Sequence, residues 1–306
     1  MAAIRNRTAR PRRRSRARTH VARGLAAALT ALAFAATGGC GGAPSAVRQP
    51  EGPTIAIGVA ADEPGLSRWH DGGYSGFEVD VARYVAKKLG YANKQIVFKQ
   101  VEPANRLDLL ADGTVDMVVA GMPMPADDMA DAADAKDTTR GENAQGIAVD
   151  DDAAYAGPYL VTRQGLLARP DDAGTIRSTS ALAGRAVCAV AGSGAKETLL
   201  GVQPHARVRE RDTYPQCVTD LMVGTADAIA GDVAILAGFA RTEGGTLVTR
   251  VKGVRYGSVR YGIAVPAGAV TLAADVAEAL DGMRDDGSYD AALDALADAA
   301  GWHPAR

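Results

Sequence analysis

The spacing of apolar residues along the chain changes between the two periods that strands and helices impose. Residues 54–60 alternate in the manner of a half-buried strand. In the segment 77–89, aliphatic residues recur every four positions and Gly90 follows, which predicts an amphipathic helix with a glycine stop. Residues 115–120 form an apolar run that is typical of a buried parallel strand.

The same alternation of strand and helix patterns continues to the end of the chain. The remaining predicted strands are 95–101, 165–169, 186–190, 226–230 and 261–265, and the remaining predicted helices are 106–111, 195–200, 217–223, 273–284 and 289–300. Because strands alternate with helices, we predict an α/β architecture with parallel sheets.

One stretch of sequence is repeated about halfway along this pattern. Residues 110–119 (LADGTVDMVV) are similar in sequence to residues 221–230 (LMVGTADAIA). Both copies end a helix, turn at a glycine and open a buried strand with an aspartate. The repeat predicts two similarly built lobes, and a cleft between two α/β lobes is a common place for a small ligand.

The formal net charge of −2 hides an uneven distribution along the chain. Residues 1–39 contain nine of the 34 basic residues and no acid. The remainder has 25 basic and 36 acidic residues, a net charge of −11. An acidic body argues against nucleic-acid binding through backbone attraction.

The first forty residues have the layout of a secretory signal. A basic stretch, 5–23, precedes an apolar run of 14 residues, 24–37, which is shorter than a membrane span requires. The ending Thr37-Gly-Gly-Cys40 resembles a bacterial lipobox, so we expect a signal peptide at 1–39 and acylation of Cys40. Ordinary cleavage with a free cysteine is the alternative. We then expect residues 40–51 to form a flexible tether, and the exported chain to be anchored by lipid to the extracytoplasmic face of the cell membrane.

If Cys40 is acylated, Cys188 and Cys217 are the two cysteines that remain available to form a disulfide. Two cysteines in an oxidising compartment favour pairing, with two separately buried thiols as the alternative. The sequence has no C-x-x-C motif and only four histidines, none in ligand spacing, so no metal and no cofactor are expected.

An ordered set of stretches carries a family resemblance. The stretches are 74–90, 104–120, 156–159, 182–188, 192–194, 212–217, 224–232, 261–265 and 286–289. Together they resemble the family 3 (type II) bacterial extracellular solute-binding proteins, the amino-acid receptors of ABC importers. Within that family they are most similar to actinobacterial glutamate-binding lipoproteins. The resemblance runs over about residues 52–305, with one gap.

The resemblance implies a two-lobed periplasmic-binding-protein-like type II fold, in which each lobe is a mostly parallel sheet flanked by helices. Lobe 1 would comprise 52–162 and 258–306, and lobe 2 would comprise 163–257. Crossings near 160–164 and 256–260 would form the hinge, with the ligand cleft between the lobes. The subfamily resemblance also implies that the two cysteines of lobe 2 are bonded to each other.

The resemblance also implies a binding site. Asp232 occupies the position that holds the ligand ammonium. The stretch that normally supplies an arginine for the α-carboxylate begins at Gly121, but Asp128 stands where that arginine is expected. Ser193 and Gly194 lie at a predicted helix N-terminus, where backbone N–H groups favour an anion. The amine half of the site is therefore retained and the carboxylate half is altered.

Other candidates surround this site. The resemblance places Asp62, Trp69 and Tyr74 in walls that contact the ligand, with ordinary surface residues as the alternative. Residues 126–152 hold nine acids and two bases and are expected as a solvated excursion on the rim of lobe 1. In a sharper alternative the excursion remodels the cleft, and Arg140 returns into it as a displaced carboxylate clamp.

Arg106 is expected to begin a helix and to pair locally. The leading hypothesis for function is a monomeric receptor that closes around an amino acid or related amine and delivers it to an ABC permease. A divergent lipoprotein that has lost amino-acid binding and acts as a sensor or interaction module is the alternative. A dehydratase-type enzyme on the same fold would need Glu63 or Asp128 as its acid or base. Aspartate or glutamate is the default ligand, and a cationic or carboxylate-poor amine is the second, because the body and rim are acidic.

Overall fold

The computed structural model describes residues 52–125, 146–243 and 246–304. The helices are α1 (Phe77–Lys88), α2 (Arg106–Ala111), α3 (Pro170–Ala173), α4 (Ala195–Val202), α5 (Tyr214–Met222), α6 (Val233–Thr242), α7 (Val270–Asp285) and α8 (Ser288–Ala300). The strands are β1 (Ile55–Val59), β2 (Asp62–Glu63), β3 (Ser67–His70), β4 (Gly73–Ser75), β5 (Ile96–Gln100), β6 (Met117–Val118), β7 (Ile147–Val149), β8 (Ala153–Ala168), β9 (Ala186–Val190), β10 (Arg207–Arg211), β11 (Ala228–Asp232), β12 (Thr249–Arg250) and β13 (Tyr256–Pro266). Of the helices in these ranges, none is both long and apolar enough to cross a bilayer.

One ten-stranded mixed sheet carries the fold. Its main path runs β10-β9-β11-β8-β13-β6-β1-β5, with β7 and β12 paired to β8, while β2, β3 and β4 form a separate small sheet. The long strands β8 and β13 pair antiparallel at the centre. Parallel pairs lie on both sides, β1 with β5 and β6, and β9 with β10 and β11. The α/β prediction is therefore confirmed, with an antiparallel centre that the strand patterns did not predict.

The internal repeat takes the same structure in both copies. Asp116 donates its N–H to the Ala56 carbonyl at 2.7 Å and accepts the Ala56 N–H on Oδ2 at 2.8 Å. Asp227 makes the same two bonds with Ala186, at 2.7 and 2.8 Å. In each copy, the aspartate fixes the start of a buried parallel strand to its neighbour. The two halves of the sheet are therefore built in a similar way.

Cys188 on β9 and Cys217 on α5 form a disulfide with a Cα–Cα distance of 5.5 Å. Both residues are fully buried. The bond ties a helix of the second half to the strand that it covers, which confirms the expected pairing.

Helix α6 and strand β10 were not predicted from the sequence. The first seven residues of α6 are all buried and none of them is polar, so this part of the helix shows no alternation of apolar and polar residues. A Cβ at Gly238 of this helix would lie 1.8 Å from the carbonyl oxygen of Pro64, so the helix approaches the loop after β2 at a distance that only glycine permits. Strand β10 (RVRER) is a largely exposed edge strand and has no apolar alternation.

The end of the acidic segment belongs to the sheet. Residues 147–149 pair antiparallel with β8, from Ile147 opposite Ala156 to Val149 opposite Ala154. The predicted excursion therefore does not extend through 152. The rest of that segment lies outside the described residues, as do Asp128 and Arg140, the signal peptide, the tether and Cys40.

Candidate functional site

Asp232 is the last residue of β11 and lies beside the two central strands of the sheet. It is 5% exposed, and its two carboxylate oxygens accept hydrogen bonds from the Gln164 Nε2 group on β8 and the Tyr261 hydroxyl on β13. Burial raises the pKa of Asp232 to about 6, although the Tyr261 bond and the Arg106 charge oppose the rise. The predicted ammonium partner is thus a desolvated carboxylate held between the strands that cross the middle of the sheet.

Glu78, a residue that sequence analysis missed, is a second buried carboxylate. It lies in the first turn of α1 and is fully buried. Its Oε1 accepts hydrogen bonds from the Gly121 N–H at 2.7 Å and the Tyr159 hydroxyl at 2.6 Å, while its Oε2 has no hydrogen-bond partner among the described residues. Burial raises the pKa of Glu78 to about 7. The available signal was its spacing, because it shares a helix face with buried Ala82 and Val85.

Glu63, at the end of β2, is the third buried carboxylate. It is 3% exposed, and its Oε2 has no hydrogen-bond partner in the part of the chain that the structure describes. Burial raises its pKa well above the ordinary value, and the charges of Glu78, Asp62 and Asp232 add to the rise. The neighbouring Asp62 is half-buried, and its Oδ2 is enclosed without a partner in the same described part. We call Glu63, Glu78 and Asp232 the acidic cluster.

Arg106 lies beside the acidic cluster, and the expectation that it pairs locally is wrong. Its Nη1 donates to the carbonyls of Ala120 at 2.8 Å and Gly121 at 3.3 Å, and its Nη2 donates to the Gly192 carbonyl at 3.2 Å. Desolvation lowers its pKa, and the charge of Glu63 is the largest opposing influence. Arg106 is the one buried lysine or arginine among the described residues, so it is the only fully desolvated cation there that faces the acids.

The turn before α4 packs directly against the segment that carries Arg106. A Cβ at Gly192 would lie 2.5 Å from the Pro103 carbonyl oxygen, and the backbone there has a φ of +75°, so the residue is held to glycine on both counts. The Ser193 hydroxyl donates to the Val190 carbonyl at 2.6 Å, and Gly194 is the N-cap of α4. The predicted residues Ser193, Gly194 and Gly121 therefore lie on the two segments that Arg106 joins.

Tyrosine side chains fill the space between the carboxylates. Tyr159 bonds Glu78, Tyr261 bonds Asp232, and the centroids of the two rings are 6.0 Å apart. Burial raises the pKa of both phenols well above 10, so both remain neutral donors. The hydroxyls of Tyr214 and Tyr256 are also buried and have no hydrogen-bond partner among the described residues.

The predicted aromatic wall lies on the small sheet. Trp69 on β3 and Tyr74 on β4 meet edge to face with ring centroids 4.9 Å apart, and Tyr74 packs against Phe98 at 5.9 Å. Trp69 is 51% exposed. Within the described residues, no hydrogen bond or ring contact links either ring to the acidic cluster. Their role in ligand binding stays a prediction.

Comparison with known proteins gives one consistent result. A family model described as bacterial extracellular solute-binding proteins, family 3, matches residues 55–295. The glutamate-binding protein GluB of Corynebacterium efficiens is 29% identical over 86% of this chain and 85% of its own length. The glutamine-binding protein GlnH of an ABC transporter of Bacillus subtilis is 30% identical over 77% of this chain and 78% of its own length. An ancestral arginine-binding protein bound to glutamine matches at a TM-score of 0.64 and 25% identity, over 79% of this chain and 96% of its own length. The solute receptor for L-cysteine of Neisseria gonorrhoeae matches at a TM-score of 0.68 and 22% identity, over 81% and 92%.

Proposed function

The chain belongs to the bacterial extracellular solute-binding proteins of family 3, and we propose that it is the extracytoplasmic receptor of an ABC importer that binds an amino acid or a related small amine. The predicted type II fold is confirmed by the structural matches. The relatives named for glutamate and glutamine binding favour a small polar guest.

The observation that carries the proposal is the position of Asp232. A carboxylate that is 5% exposed, at the end of a parallel strand, gains most from an ammonium group, because little water competes with the ion pair. The hydrogen bonds from Gln164 and Tyr261 fix its orientation in advance. Asp232 would hold the ligand nitrogen, as the family resemblance implies.

The proposed lobes are 52–162 with 258–306, and 163–257. Their proposed hinge lies where β8 and β13 pair, around 160–164 and 256–260. Contacts between the two proposed lobes support closure around a guest, since Arg106 of the first bonds the Gly192 carbonyl of the second. A ligand that bridges both lobes would favour the closed form through contacts that exist only there.

Arg106 is the residue that we propose for a ligand carboxylate in place of the arginine missing at position 128. Its three bonds to carbonyls leave the Nε–H and one Nη2–H without a partner among the described residues. Two such donors match a carboxylate. Ser193 and Gly194, at the N-terminus of α4, are proposed to assist from the other lobe.

Export follows from membership of an extracellular family. We further propose that acylation of Cys40 anchors the protein to the outer face of the cell membrane, that residues 40–51 act as its tether, and that the partner is an ABC permease. We propose no catalytic activity, since the named relatives are binding proteins.

The test is binding of amino acids and amines by calorimetry and thermal shift, with Asp232→Asn beside the wild type. We expect the substitution to abolish binding, and the exposed Asp298→Asn to leave it unchanged. Full affinity in Asp232→Asn would refute the site. Absence of binding by the wild type to every amino acid and amine would favour the sensor or interaction module, and turnover of a bound compound would favour an enzyme.

A further inference from the structure

If fully ionised, the acidic cluster would hold more negative charge than its surroundings balance. Glu63, Glu78 and Asp232 are each at most 5% exposed, and Arg106 is the one buried cation among the described residues. With all four ionised, the group carries a net charge of −2. Buried charge without a partner is costly, which is why burial raises the pKa of all three acids. A guest that supplies positive charge would stabilise their ionised forms.

Acceptor atoms without partners lie in two parts of the cluster. Glu63 Oε2 and Glu78 Oε2 lie at the end of β2 and the start of α1, and Gln164 Oε1 lies beside Asp232 on the central strands. All three atoms are enclosed, and their residues are at least nine-tenths buried. Buried acceptors are normally hydrogen-bonded, so donors from a guest would satisfy these atoms once the two glutamates are ionised.

We infer that the guest carries two cationic nitrogens, as a basic amino acid or a diamine does, with one nitrogen at Asp232 and the second at Glu63 and Glu78. This inference rests on the proposed function and specifies its ligand. Glutamate would bring a further negative charge to these acids and would oppose their ionisation. A neutral zwitterion would bring one ammonium group, for Asp232. A second cationic nitrogen would balance the charge of the ionised glutamates.

A metal ion does not account for the cluster. Within ranges 52–125, 146–243 and 246–304, no group of three histidine, cysteine, aspartate or glutamate side chains is placed to hold one. The carboxylates instead lie among phenols, with Tyr159 on Glu78 and Tyr261 on Asp232. These hydroxyl bonds fix the orientation of two of the three carboxylates before a cationic guest binds.

The inference is tested by calorimetry on the full chain at pH 7.5, with lysine, arginine, cadaverine, agmatine, glutamine and glutamate as the probes. We expect at least one dicationic probe to bind about 100-fold more tightly than glutamate, because glutamate buries further uncompensated charge. Comparison of lysine with cadaverine, and of arginine with agmatine, shows whether the guest also carries a carboxylate for Arg106.

Two variants localise the second nitrogen. Glu78→Gln keeps an amide oxygen for the Gly121 and Tyr159 bonds but removes the charge, and Glu63→Gln removes a carboxylate whose Oε2 accepts no bond within the described chain. We expect each to weaken dication binding about tenfold or more. The matched control is the exposed Glu278→Gln, which should bind as the wild type does.

The outcomes separate this inference from the function on which it rests. Tighter binding of glutamate or glutamine, lost in Asp232→Asn, would overturn the inference and leave the receptor function standing. Dication binding that is unaffected in both glutamate variants would also overturn it. No binding of any probe, or of any other amino acid or amine, would overturn both.

Discussion

Replacement of Glu78 by glutamine should remove a large part of the pH dependence of stability in the ligand-free protein. Burial raises the pKa of Glu78 to about 7 in the folded chain, from an ordinary value of 4.5. Between pH 4.5 and pH 7 the folded state therefore keeps a proton that the unfolded chain releases. The free energy of unfolding is highest below pH 4.5, falls as the pH rises to 7, and then levels off, with a loss of about 3 kcal/mol from this group.

Glutamine at position 78 cannot ionise, yet its amide oxygen can accept the hydrogen bonds from Gly121 and Tyr159. Chemical denaturation at pH 5 and pH 8 should therefore show a loss of stability about 3 kcal/mol smaller in Glu78→Gln than in the wild type. In thermal unfolding, this difference corresponds to a Tm change on the order of 5–10 °C for a chain of this size. Glu278→Gln, at an exposed position on α7, is the control and should follow the wild type.

The neighbouring charged groups also contribute to the dependence of stability on pH. Asp232 has a pKa of about 6, and the pKa of Glu63 is also raised, so the contribution of each to the free energy of unfolding falls as the pH rises. The charge of Arg106 opposes both pKa shifts. Some pH dependence should therefore remain in Glu78→Gln. Parallel profiles for the wild type and Glu78→Gln would show that Glu78 titrates normally, and would refute the reasoning that it is desolvated.

Three further predictions concern the scaffold. Asp116→Ala and Asp227→Ala each remove the same bond to a neighbouring strand, so each should lower the free energy of unfolding in urea by about 1–2 kcal/mol; a cost in only one of them would contradict the structural repeat. Reduction of the Cys188–Cys217 disulfide, which closes a loop of 29 residues, should cost about 3 kcal/mol, and an unchanged Tm in reductant would contradict this. Arg106→Met should cost about 3–5 kcal/mol in urea denaturation because the buried acids lose their cation; full stability of this variant would contradict that role.

The local elements of this protein could be predicted from the sequence where one face of an element meets solvent. Helix α1 was predicted to within one residue because its apolar stripe and Gly90 mark its face and its end. The repeat around Asp116 and Asp227 was visible because the same turn chemistry is used twice. Helix α6 was missed because its first seven residues are all buried and include no polar residue, so no polar side of the helix marks it in the sequence.

The chemistry of the site depended on contacts between distant parts of the chain. The sequence shows that Glu78 lies on the buried face of a helix, and the family resemblance points to Asp232 as a ligand group. The role of Arg106 could not be predicted, because its guanidinium bonds the carbonyl of Gly192, 86 residues further along the chain. Sequence patterns record which face of an element is apolar, whereas the partner of a buried charge is determined by which elements pack together. Only the tertiary structure therefore shows that three buried acids lie around a single arginine.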